Sequence, residues 1–163
     1  SNYGSGCSTV NEPIAIYPET FSIGATDSGD NIAGFSSRGP VTIDGSNRRK
    51  PDVSAPGVGV RSTYYRPPPN DYATLSGTSM ASPHAAGVAA LLWSAVPTLT
   101  GDIGGTAFVL EHSADPHTTT QGCGGDTSSD VPNNTFGYGI INAQAAVSLG
   151  FNLRKFYLPF VVK

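Results

Sequence analysis

Apolar and polar positions along the chain fall into short runs separated by turn residues. Residues 21–26 (FSIGAT) alternate apolar and small positions and predict a strand, and 32–36 (IAGFS) predict a second, shorter one. Residues 53–60 (VSAPGVGV) read as a strand broken at Pro56-Gly57, and 72–75 (YATL) as an extended run leading into Ser76-Gly77. The loop 37–51 is rich in Gly, Asn and charge, and Pro67-Pro68-Pro69 form a stiff surface loop. The strongest helix runs from Thr78 to Val96. Ser76 and Thr78 are candidate caps, Pro83 falls in the first turns, and Pro97 ends it. Every face of it is apolar or small, so it is expected to be buried all round. Its run of Ala85, Ala86, Gly87, Ala89 and Ala90 would let neighbouring backbone approach closely.

A weaker helix spans 100–112, with Ile103, Ala107 and Leu110 on one face and Gly104-Gly105 weakening it. Residues 113–135 read as a long polar loop. Asn142 to Leu149 form a short helix that starts at an asparagine and stops before Gly150. In the tail, Phe156, Leu158, Phe160 and Val162 alternate with Tyr157, Pro159 and Val161, the pattern of an edge strand, since Pro159 lacks an N–H for a central ladder. There is no internal repeat. Short strands alternating with helices predict an α/β fold around a mostly parallel sheet.

Composition narrows the possibilities. A length of 163 residues suits one domain with a sizeable core, and 20 glycines and 13 prolines between recurring apolar runs indicate structured turns. The net charge of −3, with Arg48, Arg49 and Lys50 as the one basic cluster, argues against nucleic-acid binding. No apolar run approaches the ~20 residues that span a bilayer, so no membrane partner is expected. Cys7 and Cys123 form no CxxC pair and share no zinc-site spacing with histidine. Few charges and much Ser, Thr and Gly fit a secreted protein. A Cys7–Cys123 disulfide is then expected, with two free, partly buried thiols as the alternative.

Ser79 draws attention because it follows a Gly-Thr turn and opens the apolar helix. A serine hydroxyl is a weak nucleophile that needs a base for its proton and donors for the developing oxyanion. Free N–H groups and the positive end of the helix dipole lie at that point. Position alone would make Ser79 an ordinary helix-start serine.

The residues around it change this. Ser76-Gly77-Thr78-Ser79-Met80-Ala81-Ser82-Pro83-His84, followed by Ala85-Ala86-Gly87, resembles the nucleophile motif of subtilisin-like serine peptidases (subtilases). Phe35-Ser36-Ser37-Arg38-Gly39-Pro40, Lys50-Pro51-Asp52-Val53-Ser54-Ala55-Pro56-Gly57 and Phe136-Gly137-Tyr138-Gly139-Ile140-Ile141-Asn142-Ala143 resemble further segments of the same family, in the same order. The α/β-hydrolase elbow GxSxG does not match, because Ala81 stands at its last position.

The resemblance covers roughly residues 2–149. It implies a subtilisin-like α/β fold, a mostly parallel sheet flanked by helices, of which this chain is the C-terminal and therefore incomplete part. Residues 150–163 would be an apolar C-terminal extension. It also implies that Ser79 is the catalytic nucleophile and that Asn2, opening Asn2-Tyr3-Gly4-Ser5-Gly6-Cys7, is the side-chain oxyanion donor. The activity implied is serine endopeptidase cleavage of protein or peptide substrates through an acyl-enzyme.

The family's aspartate and histidine motifs precede the asparagine and do not occur here. Of the three histidines, His84 lies five residues after Ser79 and is expected to face away from it, while His112 and His117 belong to or border a polar loop. The chain alone is therefore expected to be inactive, and a non-catalytic structural or binding module is the competing reading. Asp27 and Asp52 are expected to be structural. No cofactor is required, although a structural calcium is possible in the parent enzyme. Glu12-Pro13 aligns with a cis-proline position. An uncovered apolar face is expected to make the chain associate with the missing N-terminal half of the catalytic domain or with a second copy.

Overall fold

The computed structural model describes residues 1–65 and 71–157, with side chains described to Leu153. In order, the elements are α1 (Pro13–Ile16), β1 (Ile23–Thr26), β2 (Val53–Pro56), β3 (Val60–Thr63), β4 (Tyr72–Leu75), α2 (Thr78–Ala95), α3 (Ile103–His112) and α4 (Ala143–Tyr157). Short 3-10 turns lie at Pro97–Leu99 and Cys123–Gly125.

β1 and β2 pair in parallel, Ile23 opposite Val53 and Thr26 opposite Pro56. Their residues are nearly all buried, which accounts for a continuous run of apolar and small residues in place of a strict alternation. Ser54 extends the ladder: its N–H donates to Gly139 O (2.8 Å), and its carbonyl accepts from Ile141 N–H (2.9 Å). The Phe136–Ala143 motif thus continues the sheet edge. β3 and β4 form a separate antiparallel hairpin with Val60 opposite Leu75. The fold class is α/β, with a small parallel sheet and helices packed on it.

The N-terminal half of α2 packs on the sheet. Ala81 and Ala85 join Ile23, Ala25, Val53 and Ala55 in one apolar cluster, while Val88, Leu92 and Val96 form a second with Val109, Leu110 and Ala146. These positions follow an i, i+4, i+7, i+11 stripe. The opposite face, with Ser82, Pro83, Ala86, Gly87, Ala90, Leu91 and Ser94, is exposed. The helix is thus buried on one side only, and nothing lies within contact distance of where a Gly87 side chain would begin. An apolar composition shows which residues tolerate burial, but whether they are covered depends on what else is present.

Other expectations are corrected. Residues 32–36 make one isolated bridge, Ile32 to Thr26, and Ala33 N–H donates to Ala25 O, so no strand forms. The buried face of α3 is Thr106, Val109 and Leu110, whereas Ile103 is 66% exposed. Asp102 caps that helix by accepting Gly105 N–H at 2.9 Å.

Gly150 does not end α4, which continues to Tyr157. A Cβ there would meet Leu92 Cδ1 at 2.7 Å, so this glycine lets α4 approach α2 closely. Phe156 and Tyr157 are accordingly helical and do not begin an edge strand. The rest of that alternating tail, like Pro67–Pro69, lies outside the described residues. The Glu12–Pro13 bond is trans and Pro13 opens α1; among the described residues the cis bonds precede Pro40, Pro51 and Pro132. The loop 113–135 is less solvated than its composition suggests, because Asn133 and Thr135 are fully buried and Asn134 nearly so. Asn133 Nδ2 donates to the carbonyls of His117 and Asp130, and its Oδ1 accepts from the N–H groups of Thr135 and Phe136. Cys7 and Cys123 form a disulfide, which ties this loop to the start of the chain.

Candidate active site

Ser79 stands at the second position of α2, exposed at the mouth of a cleft of about 520 Å³. The cleft lies between the start of the helix (Ser79, Met80, Pro83, His84) and the β3–β4 hairpin, whose Val60, Ser62, Ala73 and Leu75 share the facing side. Gly57 sets the position of the helix start. Gly77 N–H donates to Gly57 O at 2.8 Å. A Cβ on Gly57 would stand 2.6 Å from Ala25 Cβ and 2.8 Å from Gly77 O, so only glycine lets the strand end and the helix start meet this closely.

The capping of α2 differs from the sequence expectation. Ser76 Oγ instead accepts Gly59 N–H (2.9 Å), and the N-cap residue is Gly77, which has no capping side chain. Asn2, 76 residues away along the chain, caps the helix: its Oδ1 accepts from Thr78 N–H at 2.9 Å and from Thr78 Oγ1 at 3.1 Å. Because the carbonyl oxygen of that amide is turned to Thr78, its NH2 is free to donate elsewhere. Met80 and Ala81 N–H both turn back to Gly77 O, and Ser79 N–H has no acceptor among the described residues. Two uncharged donors, Ser79 N–H and the Asn2 amide, thus border the same helix start. The structure therefore brings Asn2 and Ser79 together.

Asn2 is held although it is near the chain start. Ser37 N–H donates to Ser1 O, Tyr3 N–H donates to Ser37 Oγ, and Gly4 N–H donates to Phe35 O, all between 2.9 and 3.0 Å.

No histidine ring reaches Ser79. His84 lines the same cleft, but its Nδ1 lies 2.9 Å from Met80 O. His112 Nδ1 lies 2.9 Å from Phe108 O, and its ring stacks on Phe108. His117 Nδ1 lies 3.3 Å from Asp115 O, with its ring near Phe136. A carbonyl oxygen only accepts, so in each case Nδ1 carries the proton.

The two aspartates serve as structural ties. Asp52 Oδ2 accepts from Ser22 N–H (2.6 Å), from Ser22 Oγ and from the buried ammonium of Lys50 (2.7 Å). Asp27 folds its own turn by accepting from the N–H groups of Asn31 and Gly29, which hold its carboxyl below the usual value.

The chain is similar to known proteins. The model of the subtilase family matches residues 2–139. Bacillopeptidase F of Bacillus subtilis (strain 168) is 42% identical over 135 residues, which cover 82% of this chain and 8% of that protein. Subtilisin BL of Lederbergia lenta is 37% identical over 142 residues, covering 87% of this chain and 42% of that protein. Among solved structures, the Clostridium perfringens CspB protease superposes with a TM-score of 0.60 at 28% identity, over 83% of this chain and 28% of its own. The chain spans less than half the length of these curated relatives. With the serine motif at the helix start, the FSSRGP and KPDVSAPG segments packed around it and the family match running through all of them, the chain belongs to the subtilase family.

Proposed function

We propose that these residues supply the nucleophile and the oxyanion site of a subtilisin-like serine endopeptidase acting on protein or peptide substrates. Ser79 Oγ would attack the scissile carbonyl carbon, and its proton would pass to a base. The carbonyl oxygen, becoming an oxyanion, would take hydrogen bonds from Ser79 N–H and the Asn2 amide. Collapse would expel the amine, which leaves with a proton, and give an acyl-enzyme on Ser79 that water hydrolyses. The observation that carries the reading is the hydrogen bond from Thr78 N–H to Asn2 Oδ1 across 76 residues of sequence, which sets Asn2 at the helix start that carries Ser79.

The base and its orienting acid would be contributed by residues other than these 163, so the chain by itself is inactive in this proposal. The disulfide supports an oxidising compartment, in keeping with secretion. The test is to express the natural reading frame that contains these residues and assay casein cleavage. Cleavage that Ser79→Ala abolishes is expected. No cleavage by the folded protein, or cleavage that survives Ser79→Ala, would overturn the proposal. The lack of any histidine at Ser79 favours a second reading, a non-catalytic binding or structural module derived from a subtilase. An inactive folded product of the full reading frame would support it.

A further inference from the structure

Arg38, in the FSSRGP segment, is 3% exposed, and no carboxylate pairs with it among the described residues. A buried guanidinium without a counter-charge is costly unless its donors are all used. Nη1 donates to the carbonyls of Ala33 (3.2 Å) and Ser36, and Nε donates to Gln121 Oε1 at 3.0 Å. A guanidinium only donates, so Gln121 must turn its oxygen towards Arg38. Its amide nitrogen then faces the other way and donates to Ser5 O. The main chain of Arg38 grips the same segment: its carbonyl accepts from the N–H groups of Thr9 (2.9 Å) and Val10 (3.1 Å), and its N–H donates to Thr9 Oγ1.

From these contacts we infer that Arg38 and Gln121 are positioning residues for Asn2. Arg38 fixes the orientation of the Gln121 amide, Gln121 holds Ser5, and the segment so held presents Asn2 to Thr78 and the helix start. The Cys7–Cys123 disulfide runs parallel to this link and joins the same two segments. The inference rests on the reading of Asn2 as an oxyanion donor.

The test is amide hydrogen exchange by NMR on the 163-residue chain, with Thr78 N–H as reporter. At the first position of α2 that N–H has no intrahelical acceptor, and Asn2 Oδ1 takes it. Gln121→Glu keeps an acceptor for Arg38 and removes the donor to Ser5. Exchange at Thr78 should become about fivefold faster, the factor one lost hydrogen bond gives, while Leu92 and Val109 in the helical core stay unchanged. Asn2→Ala should accelerate Thr78 at least as much. Three results would overturn the inference: Thr78 unaffected by Gln121→Glu, Thr78 accelerating only in step with Leu92 and Val109, or Thr78 unaffected by Asn2→Ala. Exchange is read without turnover, so failure of the peptidase proposal would leave this result standing, and the reverse also holds.

Discussion

At the scale of single residues, a buried lysine and a half-buried glutamate make opposite demands. Lys50 is 2% exposed and donates to Asp52 and to Thr20 O. Replacing it by methionine would leave a largely covered carboxylate with the Ser22 donors alone. We expect Lys50→Met to destabilise the fold by about 3 kcal/mol in urea unfolding, since removing one partner of a buried pair costs more than the pair itself contributes. Glu111 lies near the same group. Burial, and then the negative charge of Asp52, push its carboxyl above the ordinary value, against partial relief from His112, Lys50 and Arg49. A carboxyl with a raised native pKa contributes stability that is fully present below its unfolded value and is lost as pH rises through the native one. Glu111→Gln should therefore stabilise the protein more at about pH 7 than at about pH 4. Asp27, Asp44 and Asp130 act in the other direction. Local donors in their turns lower their pKa values, foremost the N–H of Asn31 for Asp27, Ser46 for Asp44 and the N–H of Thr127 for Asp130. Their contribution is present above the ordinary Asp value and is lost as pH falls through the native ones. Unfolding midpoints of the Glu111→Gln and parent chains between about pH 4 and pH 7 measure the first effect, and those of the parent chain below about pH 4 measure the second.

At the scale of elements, two glycines show how α2 is held. Gly57 faces backbone: a methyl group there would strike Ala25 Cβ and Gly77 O, neither of which can swing aside. Gly57→Ala should cost about 2 kcal/mol, within the range for overpacking, and should displace the helix start that carries Ser79. Gly150 faces the end of a leucine side chain, which can move, and alanine is a better helix former by about 1 kcal/mol. Gly150→Ala should therefore stay within about 1 kcal/mol of the parent in the same urea experiment. Much at this scale was legible in the sequence. The Ser76–Thr78 turn and Pro97 delimited α2, and the alternation at 21–26 located β1. What the sequence hid were contacts between distant segments. Asn2 took the cap that Ser76 was expected to supply, and Gly150, which reads as a stop signal, is a packing glycine because Leu92 lies opposite it. The asparagines of residues 133–134 look like solvated loop until their partners, the carbonyls of His117, Asp130 and Cys123 and the Asp126 carboxylate, are known.

At the scale of the whole molecule, the outer face of α2 and its neighbour α3 is apolar and open. Leu91 is 57% exposed on α2 and Ile103 66% on α3, and a groove between the two helices is lined by Phe21, Ala86, Ala89, Trp93 and Ile103. Uncovered surface of this kind drives association. We expect the chain to self-associate with rising concentration in light scattering, and Leu91→Glu to reduce this. A clean monomer at high concentration would count against the expectation. Trp93 is the chain's one tryptophan and lines that groove, so its emission should shift as the face is covered. The motif at Ser79 and the segments 35–40, 50–57 and 136–143 made the family legible in the sequence, and the resemblance then pointed to Asn2. The sequence could not show how Asn2 is fastened, which depends on the loop carrying Gln121 and Cys123.

The measurement that tests the account most directly is the mass of the protein after incubation with a serine-phosphonylating reagent. On the proposed reading the 163-residue chain should gain no mass, because none of its histidines bonds Ser79, whereas a longer natural product that supplies the base should gain one phosphonyl group at Ser79. Stoichiometric modification of Ser79 in the chain alone, or none in the longer protein, would contradict it.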